Sequence, residues 1–315
     1  MKTPRPRTSA GRAFAQVDVF TQVALRGNPV AVVLDGAGLD DAAMQAFASW
    51  TQLSETTFVL PPTDAARARG ADYQLRIFTP GGELPFAGHP TLGSCHAWLA
   101  QGGQPQSATH IVQECRKGLV RIARQDDGAL AFAAPALARS APEPQLLAAV
   151  LQALSLTPGQ VIAAEQLDNG PLWLGLLLDS PETVLALDPD HARLKALGQK
   201  VGVAALYPAD DTPPLVRRSS REARAFAQAP GRPAVQLEVR AFAAATGINE
   251  DPVTGSLNAS LAQWLIAEGR LQAPYAANQG SCLGRDGWVQ VTADAQGQLW
   301  IGGHTVGCIE GTVLL

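Results

Sequence analysis

Charge is scarce in this chain. Asp, Glu, Lys and Arg make up 17% of its 315 residues, against about a quarter in an ordinary soluble domain. Hydrophobic residues make up 46%, ample for a packed core, which excludes disorder over most of the chain. Net charge is -4 and the pI about 5.7. Nothing therefore draws the whole molecule to phosphate backbones or anionic lipid, and no nucleic-acid partner is expected. Long apolar runs are missing too. The most notable, Pro171 to Leu178 (PLWLGLLL), falls far short of the ~20 residues a spanning helix needs and reads as a buried strand. Cys95, Cys115, Cys282 and Cys308 are widely spaced, with no CxxC pair. Residues 1–13 are basic but carry no apolar stretch, so they read as a flexible tail rather than a secretory signal. The expectation is a cytoplasmic protein with reduced thiols and no membrane association. No phosphate loop or dinucleotide fingerprint is present.

What the chain has instead is a repeat. Alternating apolar and polar residues predict strands at Ala13–Phe20, Val30–Leu34, Thr56–Leu60, Tyr73–Phe78, Ile111–Cys115 and Leu119–Ala123, with helices near Asp40–Trp50 and Pro90–Ala100. After a Pro-rich connector at Ala134–Pro144 the plan recurs. Strands are expected at Val161–Ala164, Leu172–Leu178, Val203–Tyr207, Val235–Phe242 and Thr312–Leu315, and helices at Pro144–Leu154, Pro189–Gly198 and Thr254–Glu268. LRIF (Leu75–Phe78) matches VRAF (Val239–Phe242) at an offset of 164. GHPTLGSCHAWL (Gly88–Leu99) matches TGSLNASLAQWL (Thr254–Leu265) at an offset of 166. Two matches at nearly one offset suggest duplication of one α+β unit. The expected domains are 14–137 and 138–315, with the last strand able to pack back on the first domain.

Each half then has a helix whose first turn holds Gly with Ser, Thr or His. Free N–H groups and the positive end of the helix dipole make such a start an anion site. If the halves face each other about a pseudo-twofold axis, both starts open on one cleft. Three residues there carry chemistry. His89 sits at a helix start in FAGHPT, Asp251 precedes the second helix in NEDPVTGS, and Glu55 enters an apolar strand in LSETTFVL. Unaided, His89 reads as a structural histidine and Asp251 as a plain cap. A carboxylate entering an apolar strand is costly, so a raised pKa is expected for Glu55. Two carboxylates and a His are what moving a proton on and off carbon requires.

SETTFV, the run from Arg76 to Thr91 (RIFTPGGELPFAGHPT), EDPVTGS, and the opening VDVFT with GNPVAVVL resemble the PhzF family of phenazine-biosynthesis-like isomerases over nearly the whole chain. The resemblance implies an α+β, diaminopimelate-epimerase-like fold: two pseudo-symmetric domains, each a curved sheet or barrel around a central helix, with the site between them. It implies a cofactor-independent and metal-independent isomerase, similar to trans-2,3-dihydro-3-hydroxyanthranilate isomerase, forming a homodimer. Glu55, His89 and Asp251 fall on the family's catalytic positions. Ser54, Gly88, Gly255 and Ser256 fall where the family holds the carboxylate of a small substrate. Two features depart from the pattern: Gly284-Arg285-Asp286-Gly287 stands where members often carry GRPS, and Ala209–Pro233 looks inserted. Its Arg217, Arg218, Arg221 and Arg224 read as a solvated surface loop, or else as an anion-binding lid.

Other readings compete. A two-thiol racemase of amino-acid-like substrates needs a cysteine at each helix start, but Cys95 lies two turns in. Metal binding by His89, His96 and Cys95 lacks a compact ligand set, because His110, His191 and His304 are scattered. A catalytically silent metabolite-binding protein on the same fold is the alternative from another class.

Overall fold

The computed structural model describes residues 11–208 and 235–315. The Ala209–Pro233 segment singled out above lies outside them.

The first half begins with β1 (Gly11–Val19), β2 (Asn28–Val33), α1 (Asp41–Thr51), β3 (Thr56–Leu60) and the single turn α2 (Asp64–Arg67). It continues with β4 (Tyr73–Thr79), β5 (Gly82–Leu84), α3 (Gly88–Ala100), β6 (His110–Cys115), β7 (Gly118–Arg124) and β8 (Leu130–Ala133). The second half runs β9 (Ala138–Ser140), α4 (Pro144–Ala153), β10 (Val161–Asp168), β11 (Leu172–Leu178), α5 (Pro181–Ala186), α6 (His191–Leu197) and β12 (Lys200–Leu206). Then come β13 (Val235–Ala243), β14 (Ile248–Asp251), α7 (Gly255–Ala267), β15 (Tyr275–Gln279), β16 (Gly287–Ala293), β17 (Leu299–Gly303) and β18 (Thr305–Leu314).

Strand pairing repeats pair for pair. In the first half β1–β2 is antiparallel, β2–β3 parallel, β3–β4 antiparallel, β4–β6 parallel, and β6–β7 and β7–β8 antiparallel. In the second, β10–β11, β11–β12, β12–β13, β13–β15 and β15–β16–β17 follow the same sequence of directions. The halves join where β8 pairs antiparallel with β17. β9 closes on β10, and its counterpart β18 crosses back to lie along β1 from Thr305 to Leu314. This is the α+β, diaminopimelate-epimerase-like fold expected from the sequence.

Each sheet wraps one helix. In α7, Leu257, Ala259, Leu261, Ala262, Trp264 and Leu265 are all fully buried, and α3 buries Leu92, Cys95 and Ala97. Helices enclosed on every side have no polar stripe, and their small residues allow close approach. A Cβ on Gly93 of α3 would meet Val30 Cγ1 at 2.4 Å, and one on Gly202 of β12 would meet Leu257 Cδ1 at 2.2 Å.

The repeat extends into side-chain detail. In β4, Arg76 grips Glu83 of β5 through Nε–Oε1 at 2.9 Å and Nη2–Oε2 at 2.7 Å. In β13, Arg240 grips Glu250 of β14 through the same atoms at 2.9 and 2.8 Å. Each guanidinium lies over a Phe two residues on, Phe78 at 5.0 Å and Phe242 at 5.1 Å. These forks fasten the hairpins that lead into α3 and α7.

Several expectations are corrected. The first strand starts at Gly11, so residues 11–13 of the supposed tail pair with Leu314, Val313 and Thr312. The last strand begins at Thr305, seven residues earlier than expected. Gly307 and Gly311 interrupt its pattern, and pairing with β1 supplies what alternation did not. The helix expected at 189–198 is α6 alone, preceded by α5, which Ser180 caps by accepting from Thr183 N. The loop before α7 contains β14, held by the Arg240 fork.

The Arg240–Glu250 pair is almost wholly enclosed, each side chain being 6% exposed. Removing one partner strands the other charge. Glu250→Ala is expected to lower the free energy of urea unfolding by about 3–5 kcal/mol. Gly311→Ala, where a Cβ meets nothing within 4 Å, should stay within about 0.5 kcal/mol of the parent.

Candidate active site

The starts of α3 and α7 meet head to head between the halves. A Cβ on Gly88 would lie 2.7 Å from Phe132 Cζ, one on Gly255 would lie 3.3 Å from it, and each would stand 3.4 Å from the other glycine's Cα. On Gly88 only hydrogen fits, and on Gly255 a methyl would be tight. Neither helix has a side-chain cap at its start, so the N–H groups of both first turns and both dipoles converge on one place.

Around that place stand the residues singled out from the sequence. Glu55 lies just before β3, His89 is the second residue of α3, and Asp251 ends β14. His89 Nε2 is 3.3 Å from Glu55 Oε2. Beyond this approach neither atom has a hydrogen-bond partner, and the buried Ser54 hydroxyl has only the adjacent Glu55 carboxyl within reach. Polar atoms left so poorly partnered in a buried setting are rare.

Asn28, the first residue of β2, ties the set together. Its Nδ2 donates to Asp251 Oδ1 and to Val253 O, both at 2.8 Å, and passes 3.3 Å from His89 Nδ1. Two hydrogens serve the first two acceptors, so the approach to His89 is a contact without a proton to spare. Asp251 Oδ2 accepts from Thr254 Oγ1 at 2.7 Å. Gln279 of β15 donates to Asp251 O and Thr254 Oγ1, both at 3.0 Å, and accepts from Thr254 N and Asn258 Nδ2 at 3.0 and 2.9 Å. Gln279 and Asn258 are enclosed, and with every amide hydrogen placed they fix Asp251 in orientation.

Burial sets the proton affinities. It pushes the Asp251 carboxyl up to about 6, with His89, Thr254 and Asn28 opposing and Glu55 reinforcing. It pushes His89 down to about 4, against the pull of Asp251 and the Pro29 carbonyl. It raises Glu55 as expected, with Ser54 and Lys200 opposing. At neutral pH His89 is therefore neutral, and its contact with Glu55 is not an ion pair.

The structure also places the other candidates. Ser256, in the first turn of α7, receives the Trp173 indole N–H on Oγ at 3.2 Å and the Asn169 amide on its carbonyl at 2.9 Å. His96 is directed away, taking a hydrogen bond with Thr305 at 2.8 Å. Cys95 is buried beside Tyr73, and burial pushes its thiol up to about 12. Sequence reasoning did not single out Asn28, Gln279, Asn258, Trp173, Asn169 or Lys200. Asn28 sat in the quoted GNPV motif. Gln279 had a signal too, because Gln113 of β6 stands 166 residues earlier and donates to Thr91 of α3 at 3.0 Å.

Comparison with known proteins identifies the family. The family model of the phenazine biosynthesis-like (PhzC-PhzF) proteins matches residues 17–311. The trans-2,3-dihydro-3-hydroxyanthranilate isomerase of Pseudomonas fluorescens is 31% identical over 317 residues, covering 96% of this chain and 99% of its own. The antisense-enhancing sequence 1 protein of Schizosaccharomyces pombe is 32% identical over 315 residues, covering 95% and 97%. The crystal structure of a PhzF-family phenazine biosynthesis protein from Bacillus anthracis shares the fold, with a TM-score of 0.77 over 97% of this chain and 100% of that one, at 22% identity. With the family model spanning both halves and the paired helix starts, the chain belongs to the PhzF family of phenazine-biosynthesis-like isomerases.

Proposed function

We propose that this isomerase moves a proton between two carbons of a small carboxylate substrate, with no cofactor or metal and with Glu55 as the group that takes and returns the proton. The observation that carries the reading is the approach of Glu55 Oε2 and His89 Nε2, neither with another partner, beside the meeting point of two helix starts, with Ser54 next to Glu55. The substrate carboxylate is anchored by the N–H groups at Gly88, Gly255 and Ser256 and by the Ser54 hydroxyl, which suits an anion at a helix start. His89 and Asp251 orient the substrate against Glu55. A raised carboxyl pKa favours such a role, because a base that must also act as an acid works best with a pKa near the working pH.

Similarity to the Pseudomonas fluorescens relative supports a substrate that shares with trans-2,3-dihydro-3-hydroxyanthranilate a carboxylate and a removable C–H next to unsaturation, without fixing its other groups. The two-thiol alternative is disfavoured by the enclosed position of Cys95. We extend the proposal to a cytoplasmic homodimer with two domains divided near residue 137, the first including β1 from Gly11 and the returning strand β18; no helix among the described residues is long and apolar enough to cross a membrane.

In D2O, the wild type is expected to exchange deuterium into its substrate, and Glu55→Gln to slow this by roughly 10²–10⁴-fold while still binding the same acid. Mass spectrometry of the recovered substrate reads the outcome. Equal exchange by both proteins sinks the assignment of Glu55.

The proton affinities give a second expectation. Asp251 binds its proton more tightly folded, at about 6 against an ordinary 3.8, so the stability it lends is full below pH 3.8 and lost as pH rises through 6. His89 binds its proton less tightly folded, at about 4 against 6.5, so stability is lost as pH falls from 6.5 toward 4. The two slopes oppose in the wild type. Asp251→Asn removes one of the slopes that oppose that of His89, Glu55 supplying another, so unfolding free energy should climb more steeply with pH between 4 and 6.5 than in the wild type. His89→Gln should change the slope in the opposite direction over the same range. Urea unfolding at four pH values reads both changes, and profiles parallel to that of the wild type would refute them.

A further inference from the structure

One charged group near the site is unused by the chemistry above. Lys200 opens β12 and pairs in register with Trp173 of the parallel neighbour β11. Its ammonium stands 5.6 Å over the Trp173 ring. Among the described residues it has no carboxylate partner and no side-chain hydrogen bond, although it is half-buried. Glu55 and Asp251 both lie close enough to favour its charge, while burial opposes it. A contact with one aromatic face offsets only part of the hydration that an ammonium loses.

The surroundings point the group at a ligand. The indole that carries Lys200 on its face donates with its edge to Ser256 Oγ, in the first turn of α7. Asn169 donates to the Ser256 carbonyl from the same side, is only 4% exposed, and has a buried Oδ1 with no partner. Lys117 lies beside Asn169, its Nζ 3.4 Å from the Asn169 carbonyl and 5.9 Å from the Phe86 ring. The helix starts therefore have a flank of Trp173, Asn169 and a cation, with an indole's width between the ammonium and Ser256. A group reaching Lys200 is not the one seated on the helix starts.

We infer that Lys200 is a specificity-determining residue, and that the substrate carries a second anionic group, a carboxylate, which pairs with Lys200 beside Trp173 while the first carboxylate rests on the helix starts. This builds on the proposed carboxylate anchor at Gly88, Gly255 and Ser256. The charge is held by no ion pair within hydrogen-bond reach, only by the ring of Trp173 and the more distant Glu55 and Asp251.

The test is binding rather than turnover. Benzoate is compared with phthalate, isophthalate and terephthalate, and butyrate with succinate and glutarate, by calorimetric titration of the full-length protein. At least one dicarboxylate should bind about tenfold or more tighter than its monocarboxylate, the worth of a charge-assisted hydrogen bond. Lys200→Met should bring that ratio within about twofold, and Lys200→Arg should restore most of it. The readout is a ratio, so a general loss of folding does not imitate it. Absence of any dicarboxylate preference, absence of dicarboxylate binding, or a preference that survives Lys200→Met overturns the inference. Deuterium exchange is a separate measurement, so a charge preference without exchange would count against the isomerase mechanism alone.

Discussion

Everything at the site depends on two glycines being able to touch. Gly88 and Gly255 begin their helices side by side, under Phe132, with no room for a methyl group on Gly88 and little on Gly255. That contact puts two sets of free backbone N–H groups on one small volume. It also fixes the distance between the halves, since α3 and α7 are the cores around which the sheets wrap. The enclosing sheets, the lack of polar stripes on the central helices and the antiparallel join of β8 to β17 all serve this one approach. The helix starts themselves then supply positive potential, which suits a carboxylate and needs no ordering of a long side chain.

The scarcity of charge follows from the same arrangement. Shells around enclosed helices have few places where an ion can stay hydrated. The few interior charges are accordingly held in full: the Arg240 and Arg76 forks meet two oxygens each, and Glu238 accepts from Tyr207 and Asn278. The site is where this discipline lapses. Glu55 and His89 keep buried atoms without other partners, and Asp251 and Glu55 hold protons more tightly than a solvated acid. Around them, Thr254 and Gln279 and the amide hydrogens of Asn28 and Asn258 are engaged in hydrogen bonds, which hold Asp251 in a rigid frame.

Much of this was legible in the sequence, and for identifiable reasons. Strands β3, β4 and β11 are short apolar or alternating runs bounded by turn residues, and α1 and α4 announce themselves through Asp40 and Pro144. The duplication was visible because the R-x-F strands and the Trp-Leu helices kept their residues as well as their pattern. Glu55, His89 and Asp251 stood out only through the motif around them; each alone had a bland explanation. What escaped was what depends on partners distant in the chain. β14 and β18 are strands because of the Arg240 fork and the β1 edge, not because of alternation. Gln279 acts on Asp251 from 28 residues away, and its type is ordinary for a strand. Lys200 gave no signal, since one lysine before an apolar run is common.

The path of β18 has a consequence for how the protein comes into being. The strand that completes the first half is made only after the second half, so one edge of β1 stays open until β18 has left the ribosome. At roughly 5–20 residues per second, that exposure lasts for the time taken to synthesise the entire second half. An open strand edge is a template for wrong pairing. The duplicated design thus trades an early-folding first half for a molecule in which neither half is finished without the other, and its birth is cooperative in the same sense as its active site.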